Sequence, residues 1–96
     1  MKHDGKDDKG KVRPTLLPIE GIEGMLEVME YGAKKYCVGG WREVPNAEAR
    51  YKDALLRHLF EELKQPGSKD EESGLSHMAH AACNALFLLS FQRKSK

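Results

Sequence analysis

Three polar side chains in an otherwise apolar stretch are the residues of this chain best placed to do chemistry. His77, His80 and Asn84 follow one another at spacings of three and four residues, so they lie in line on one face of a helix. Between Leu75 and Phe91 the chain has no charged residue and no proline, which indicates a buried helix. An unpaired polar group in a core costs about 1–3 kcal/mol, so this polar stripe needs partners in the protein or in a ligand.

The chemistry open to the polar stripe depends on those partners. Two histidines three residues apart can share a metal ion, and imidazole favours Zn²⁺ and other transition metals over Mg²⁺. Hydrogen bonding to a ligand or to carboxylates is the favoured interpretation for His77, His80 and Asn84. The alternative is a structural role in which every member is satisfied within the protein.

A pair of glutamates provides a second candidate site. Glu27 and Glu30 are three residues apart on a predicted helix, so both carboxylates can point at one spot. Carboxylate oxygens are the ligands that Mg²⁺ takes in phosphate chemistry. The alternative is a solvated helix face on which Glu30 pairs with Lys34.

Cations and an aromatic residue elsewhere could contact a nucleotide. Arg57, beside His58, could hold a phosphate through two hydrogen bonds, unless it pairs with an acid four residues away. Lys11 and Arg13 belong to a glycine-containing segment that can fold around a polyphosphate or remain a solvated tail. Trp41 follows two glycines in a predicted loop, where it could stack on a base or cap the helices.

Three helices must position these residues, and apolar periodicity predicts them at about 18–36, 47–64 and 74–91. Asn46 and Ser73 are the expected caps of the second and third helices. No strand pattern competes, so the predicted fold class is all-α, a three-helix bundle. The third helix is apolar on nearly all sides, which predicts that dimerisation completes the bundle.

Length and composition limit the range of functions. The 96 residues allow one small domain, with 14–96 as the helical part and 1–13 as a charged flexible segment. The net charge of +1 gives no general argument for nucleic-acid or membrane binding, and the apolar runs are too short for a membrane span. Two cysteines and an N-terminus without an apolar signal segment predict an intracellular protein with reduced thiols.

Several short motifs, taken together, resemble one family of phage and bacterial proteins. They are Asp8-x-Gly10-Lys11-x-Arg13, Leu17-Pro18, Tyr31-Gly-Ala-Lys-Lys-Tyr36, Trp41, Arg57-His58-Leu59, and Asp70-x-Glu72-Ser73-Gly74-Leu75-x-His77-x-x-His80-Ala81-x-x-Asn84. In this order and spacing they resemble the dATP/dGTP diphosphohydrolase N-terminal-domain family over nearly the whole chain.

The resemblance implies a link to all-α, MazG-like nucleotide pyrophosphohydrolases, which are helical dimers or tetramers. Those enzymes cut a nucleoside triphosphate between the α and β phosphates, and acidic pairs on two helices hold Mg²⁺. Glu27-Val-Met-Glu30 can match the first pair. Where the second pair should fall, this chain has His80 and Asn84, which removes negative charge from a Mg²⁺ site.

The favoured functional hypothesis is a Mg²⁺-dependent pyrophosphohydrolase, with Mn²⁺ as the other candidate cation, that converts a purine deoxynucleoside triphosphate to its monophosphate and pyrophosphate. The expected catalytic residues are Glu27, His80 and Asn84, and the expected metal ligands are Glu27 and Glu30. The expected substrate-binding residues are Lys11, Arg13, Tyr36, Trp41, Arg57, His58 and His77.

The alternative hypothesis is a non-catalytic nucleotide-binding oligomer of phage type, sequestering or regulatory, which the missing second acidic pair favours. A purely structural helical oligomer is the third. The expected partners are a purine nucleotide and copies of the same chain, as a dimer or higher oligomer, without membrane or polymeric nucleic acid. The expected location is the cytoplasm of a bacterium or of a phage-infected host cell.

Overall fold

The computed structural model describes residues 9–94 and is all-α over that range. Its helices are α1 (Ile19–Lys35), α2 (Ala47–Lys64) and α3 (His77–Lys94). Short 3-10 turns at Pro14–Leu16 and Gly40–Glu43 precede α1 and α2. The predicted three-helix fold is confirmed, and α2 has the predicted bounds.

α3 is the central element because both other helices pack against it. Gly24 of α1 lies beside Ala79 of α3, so close that an added Cβ would be 3.9 Å from the Ala79 methyl group. One turn further along α3, the Cys83 thiol donates a hydrogen bond to the Met25 carbonyl of α1 at 3.2 Å. The buried apolar residues of the described chain are Val28, Ala81 and Cys83.

α2 runs antiparallel to α3. Tyr51, in the first half of α2, contacts Phe87 in the second half of α3, whereas His58 contacts His77, the first residue of α3. Lys35, the last residue of α1, forms an ion pair with the loop that precedes α3. The end of α1, the middle of α2 and the start of α3 therefore meet in one region.

α3 begins at His77, three residues later than the predicted start. Gly74 has a φ of 74°, in the left-handed region, so it cannot be part of a right-handed helix. The cap is Ser76 rather than the expected Ser73, since the Ser76 hydroxyl accepts a hydrogen bond from the Ala79 N–H at 3.1 Å. Asn46 does stand at the cap position of α2, but its side chain makes no capping hydrogen bond.

The segment between α2 and α3, the 65–76 loop, is folded by its own backbone hydrogen bonds. The Asp70 N–H donates to the Leu75 carbonyl at 2.8 Å, and the Gly74 N–H donates to the Asp70 carbonyl at 2.8 Å. An isolated antiparallel bridge joins Lys69 to Ser76. These contacts fix the position of Asp70 next to the start of α3.

The first eight residues of the predicted flexible segment 1–13 lie outside the described residues. Lys9 and Gly10 form a turn, and the chain is exposed from there to Arg13. The division into a flexible segment and a helical domain stays a prediction. Within residues 9–94, no helix combines the length and the apolar character needed to cross a bilayer.

Candidate functional site

Three histidines from two helices meet at the start of α3. The Nδ1 atoms of His58 and His77 are 2.9 Å apart, which is a hydrogen-bond distance when one ring donates and the other accepts. The His58 ring also stacks on His80, with centroids 4.4 Å apart and an interplanar angle of 9°. His77 is buried and the other two are half-buried. The structure thus brings these three predicted site residues into one histidine cluster (His58, His77 and His80).

The 65–76 loop adds a carboxylate and a hydroxyl to the histidine cluster. The Ser73 Oγ lies 2.7 Å from the His80 Nε2. The Asp70 Oδ2 accepts a hydrogen bond from the Ser73 N–H at 2.9 Å, which orients the carboxylate. One Asp70 oxygen and one nitrogen each from His58 and His77 all lie within 4.8 Å of one another.

Burial and local charges set the protonation of these groups. Burial, followed by the neighbouring His80, lowers the pKa of His58. Burial also lowers the pKa of His80, against the opposing effect of Asp70. Both imidazoles are therefore neutral at pH 7. Burial raises the pKa of Asp70, but the Ser73 hydrogen bonds and His80 outweigh it, so that pKa is lowered and the carboxylate is charged.

α1 reaches the same region through Tyr31 and Lys35. The Tyr31 hydroxyl donates a hydrogen bond to the Glu72 carboxylate at 2.8 Å, and Lys35 forms an ion pair with that carboxylate. The Tyr31 ring meets His80 edge-on, with centroids 6.5 Å apart. The region is therefore walled by all three helices and the 65–76 loop.

The acidic pair of α1 lies in solvent. Glu27 and Glu30 are exposed, and neither makes an ion pair or hydrogen bond with another described residue, Lys34 included. Glu27 stands one helical turn before Tyr31, the α1 residue whose ring meets His80 edge-on. Two solvent-facing carboxylates suit Mg²⁺, which keeps several waters when one or two carboxylates bind it.

Asn84 is engaged within its own helix. Its side chain is buried, and its Nδ2 donates a hydrogen bond to the His80 carbonyl at 2.8 Å. His77 and His80 pair with His58 and Ser73 respectively. Every member of the polar stripe therefore has a partner inside the chain.

The predicted phosphate-binding cations are free of ion pairs in the described part of the chain. Lys11, Arg13 and Arg57 are exposed, and the alternative salt bridges from Arg57 to acids four residues away do not form. No hydrogen bond between described residues joins these three side chains to the histidine cluster. They remain candidates for binding an anion from solvent.

The two predicted base-stacking residues have different surroundings. Trp41 stacks on Phe87 with centroids 4.3 Å apart, and the Arg42 guanidinium lies 4.3 Å from the indole centroid. Trp41 therefore packs over the α2–α3 pair, as a bundle cap does. Tyr36 is 72% exposed, with the Lys35 ammonium 5.3 Å from its ring centroid.

A polar cavity of about 450 Å³ opens beside the histidine cluster. Its lining residues are Glu61, Gln65, Ser68, Lys69, Asp70, Glu71 and His77. The His77 imidazole and the charged Asp70 carboxylate at such a cavity can hold a cation or bind a polar ligand.

Sequence reasoning missed Tyr31 and Ser73 as site residues, and it considered Asp70 only as one of several acids that could compensate for the missing second acidic pair. Each of them belongs to one of the motifs that carried the family resemblance, and that membership was the available signal. Periodicity could not find them, because Asp70 and Ser73 lie in a loop and Tyr31 meets His80 only through helix packing.

Comparisons with known proteins agree with the motifs. A family model described as dATP/dGTP diphosphohydrolase, N-terminal, matches residues 1–96. A protein of Salmonella phage PMBT28 named dATP/dGTP diphosphohydrolase is 34% identical over 83 residues, which cover 86% of this chain and 28% of the phage protein. No solved structure matches the chain. The chain belongs to the dATP/dGTP diphosphohydrolase N-terminal-domain family.

Proposed function

We propose that this domain hydrolyses purine deoxynucleoside triphosphates to monophosphates and pyrophosphate. The observation that carries the proposal is the histidine cluster beside a polar cavity, in a chain of a family described by dATP/dGTP diphosphohydrolase activity. The name of the phage relative supports dATP and dGTP as the substrates to test first.

In this reaction, a water oxygen forms a bond to the α-phosphorus. The bond from that phosphorus to the oxygen bridging the β-phosphorus breaks, and pyrophosphate leaves with the bonding electron pair. The proton lost by water passes to the His80 imidazole through the Ser73 hydroxyl, which is hydrogen-bonded to Nε2. Burial favours the neutral imidazole, so His80 is able to accept that proton at pH 7.

The proposed cofactor is Mg²⁺, with Mn²⁺ as the substitute. A bound divalent cation neutralises phosphate charge and polarises the phosphoryl group. Glu27 and Glu30 would hold it through carboxylate oxygens, and their exposure leaves room for phosphate oxygens.

The proposed phosphate-binding and base-stacking residues are chosen by the solvent exposure of their side chains. Lys11, Arg13 and Arg57 are proposed to bind phosphates because they are exposed cations without ion pairs to described residues. Of the two aromatic candidates, the exposed Tyr36 is better placed than the packed Trp41 to stack on the base.

We also propose that the domain acts as a dimer or higher oligomer in the cytoplasm of a bacterial or phage-infected cell. Leu56, Phe60 and Leu63 of α2 are between 47% and 70% exposed and recur at spacings of four and three residues. Such an apolar stripe on one helix face is stabilised when a second copy covers it.

Incubation with dATP, dGTP, dCTP and dTTP in Mg²⁺, followed by chromatography, tests the proposed function. We expect monophosphate and pyrophosphate from the purine nucleotides. Glu27→Gln should lower turnover about 100-fold, since removing one charge-stabilising group typically costs that much. Glu20→Gln, an exposed glutamate two turns earlier on α1, is the matched control and should keep full turnover. Unchanged turnover in Glu27→Gln would refute the metal assignment.

The second candidate function is nucleotide binding without hydrolysis. The neutral Asn84, buried and hydrogen-bonded within α3, favours it, because this position supplies no negative charge in place of the second acidic pair. Saturation at 100 times Kd should stabilise the fold by about 2.7 kcal/mol. A thermal shift with dATP or dGTP in the absence of any monophosphate would select this function.

A further inference from the structure

The proposed function assigns no ion to His58, Asp70 and His77, although these side chains converge as metal ligands do. One ligand atom from each lies within 4.8 Å of the other two. They come from α2, the 65–76 loop and the first residue of α3, so the fold itself brings them together. Two imidazoles and one carboxylate form a set of three protein ligands, which in catalytic metal sites leaves positions open to water or substrate.

The spacing of the two nitrogens fits a shared ion. Two nitrogens that are each about 2.1 Å from one octahedral ion, at the right angle between neighbouring ligands, would be about 3.0 Å apart. The Nδ1 atoms of His58 and His77 are 2.9 Å apart. A direct hydrogen bond accounts for the same distance only if one ring donates from Nδ1, whereas an ion would use the lone pairs of both.

The surrounding groups resemble an outer shell that holds metal ligands in place. The Asp70 carboxylate is oriented by the Ser73 N–H at 2.9 Å, and the His58 ring is held by stacking on His80. His80 is in turn fixed by the Ser73 hydroxyl at 2.7 Å. Such partners fix ring orientation and strengthen metal binding.

The polar cavity gives an ion access to these ligands. Asp70 and His77 both line it. Its lining also includes Glu71, Lys69 and Glu61, which pairs with Lys64 at 2.9 Å. With Asp70 the wall has three carboxylates against these two cations, so its net charge is negative and attracts cations.

We propose that His58, Asp70 and His77 bind one divalent transition-metal ion that takes octahedral coordination, of the Mn²⁺ and Co²⁺ class. Imidazole nitrogens favour these ions over Mg²⁺, which prefers a set of oxygen ligands. The ion would expose its open positions to the polar cavity, where water or a phosphate oxygen can complete the coordination. This site is separate from the acidic pair of α1, and its occupation does not depend on nucleotide hydrolysis.

Titration of the untagged, chelator-treated chain with Co²⁺ tests the proposal directly. Visible absorption reports cobalt–imidazole coordination, and calorimetry reports the affinity and stoichiometry. We expect one Co²⁺ per chain, with Mg²⁺ in excess failing to displace it. Asp70→Asn and His58→Gln should weaken Co²⁺ binding by about tenfold or more. Glu20→Gln, an exposed glutamate on α1 that does not line this cavity, is the matched control and should bind Co²⁺ as the unmodified chain does.

The outcomes separate this inference from the proposed function. Far-ultraviolet circular dichroism identifies any variant that fails to fold, and Asp70→Asn, in a loop, carries the test if His58→Gln does not fold. Co²⁺ affinity that is the same in the folded Asp70→Asn variant and in the Glu20→Gln control would overturn the metal site. Co²⁺ binding that Asp70→Asn abolishes would support it, even if no nucleotide is hydrolysed.

Discussion

Single contacts set the chemistry of His80. Its ring is covered on one side by His58, approached edge-on by Tyr31, and hydrogen-bonded through Nε2 to Ser73. Burial disfavours the imidazolium, so the ring is a proton acceptor held in a fixed orientation. A solvent-exposed histidine would not share this fixed orientation.

Replacing His80 should therefore separate binding from catalysis. We expect His80→Gln to lower kcat for dGTP by about 100-fold, since loss of a general base typically costs that much. Glutamine retains a hydrogen-bonding group for Ser73, so helicity and KM should change little. Steady-state kinetics beside the Glu20→Gln control measure the effect. A kcat equal to that of the control would rule out His80 as the proton acceptor.

The two cysteines should differ in reactivity. Cys83 is 1% exposed, and burial raises the pKa of its thiol to about 11, whereas Cys37 is exposed. The thiolate is the reactive form, so a thiol reagent at pH 8 should modify Cys37 quickly and Cys83 only after denaturation. Mass spectrometry of the modified chain locates the label, and rapid labelling of Cys83 would contradict its burial.

The raised pKa of Cys83 also predicts a pH dependence of stability. Its ordinary value is 9.0, so between pH 9 and about 11 the unfolded chain loses this proton while the folded chain keeps it. The contribution is complete below pH 9 and is lost as the pH rises through that window. The melting temperature should therefore fall more steeply with pH than that of the Cys83→Ala variant. The same pH dependence in both proteins would refute the raised pKa of Cys83.

At the scale of the elements, the sequence predicted helices better than their junctions. The bounds of α2 agree because its apolar period is uninterrupted from 47 to 64. The start of α3 differs because the chain offers two serines as caps, and only the left-handed Gly74 between them decides for Ser76. The spacing of apolar residues does not predict the backbone angle of a single glycine.

For the candidate site too, positions along a helix were predicted better than contacts between elements. The spacing of His77 and His80 placed both on one face of α3. Their contacts with His58 and Ser73 depend on helix register and on the fold of the 65–76 loop, which no local pattern encodes. The site could be predicted along one helix but not across elements.

The need for a left-handed glycine before α3 can be tested by comparing alanine substitutions at two glycines. Gly74 has φ 74° and no heavy atom within 4 Å of an added Cβ, so Gly74→Ala introduces backbone strain without a clash. We expect a loss of about 1 kcal/mol in unfolding free energy. Gly32 lies inside α1 with equally open space, so Gly32→Ala should instead raise stability by up to about 1 kcal/mol. Urea denaturation measures both, and equal signs for the two variants would contradict this reasoning.

The whole molecule has a small core for its length. Its radius of gyration is 16.6 Å, against about 12–13 Å for a compact domain of this size. Buried apolar residues in the described range are few, while Leu56, Phe60 and Leu63 are 47% to 70% exposed. One chain therefore leaves apolar helix faces uncovered, and a second copy is the simplest cover.

The exposed apolar face of α2 is expected to be a surface of self-association. If Leu56, Phe60 and Leu63 meet another copy of the chain, the chain should behave as a dimer or higher oligomer in light scattering. Phe60→Glu should then convert it to a monomer, because burying a charge against apolar residues without a partner is unfavourable.

A matched control distinguishes the interface from a general effect of charge. Gln92→Glu places the same carboxylate at an exposed polar position near the end of α3, so the oligomer should persist. A monomeric unmodified chain would refute self-association. An oligomer that survives Phe60→Glu would instead assign the contact to another face. Because α2 also carries His58, a dimer formed through its exposed stripe would restrain the helix that supplies one side of the histidine cluster.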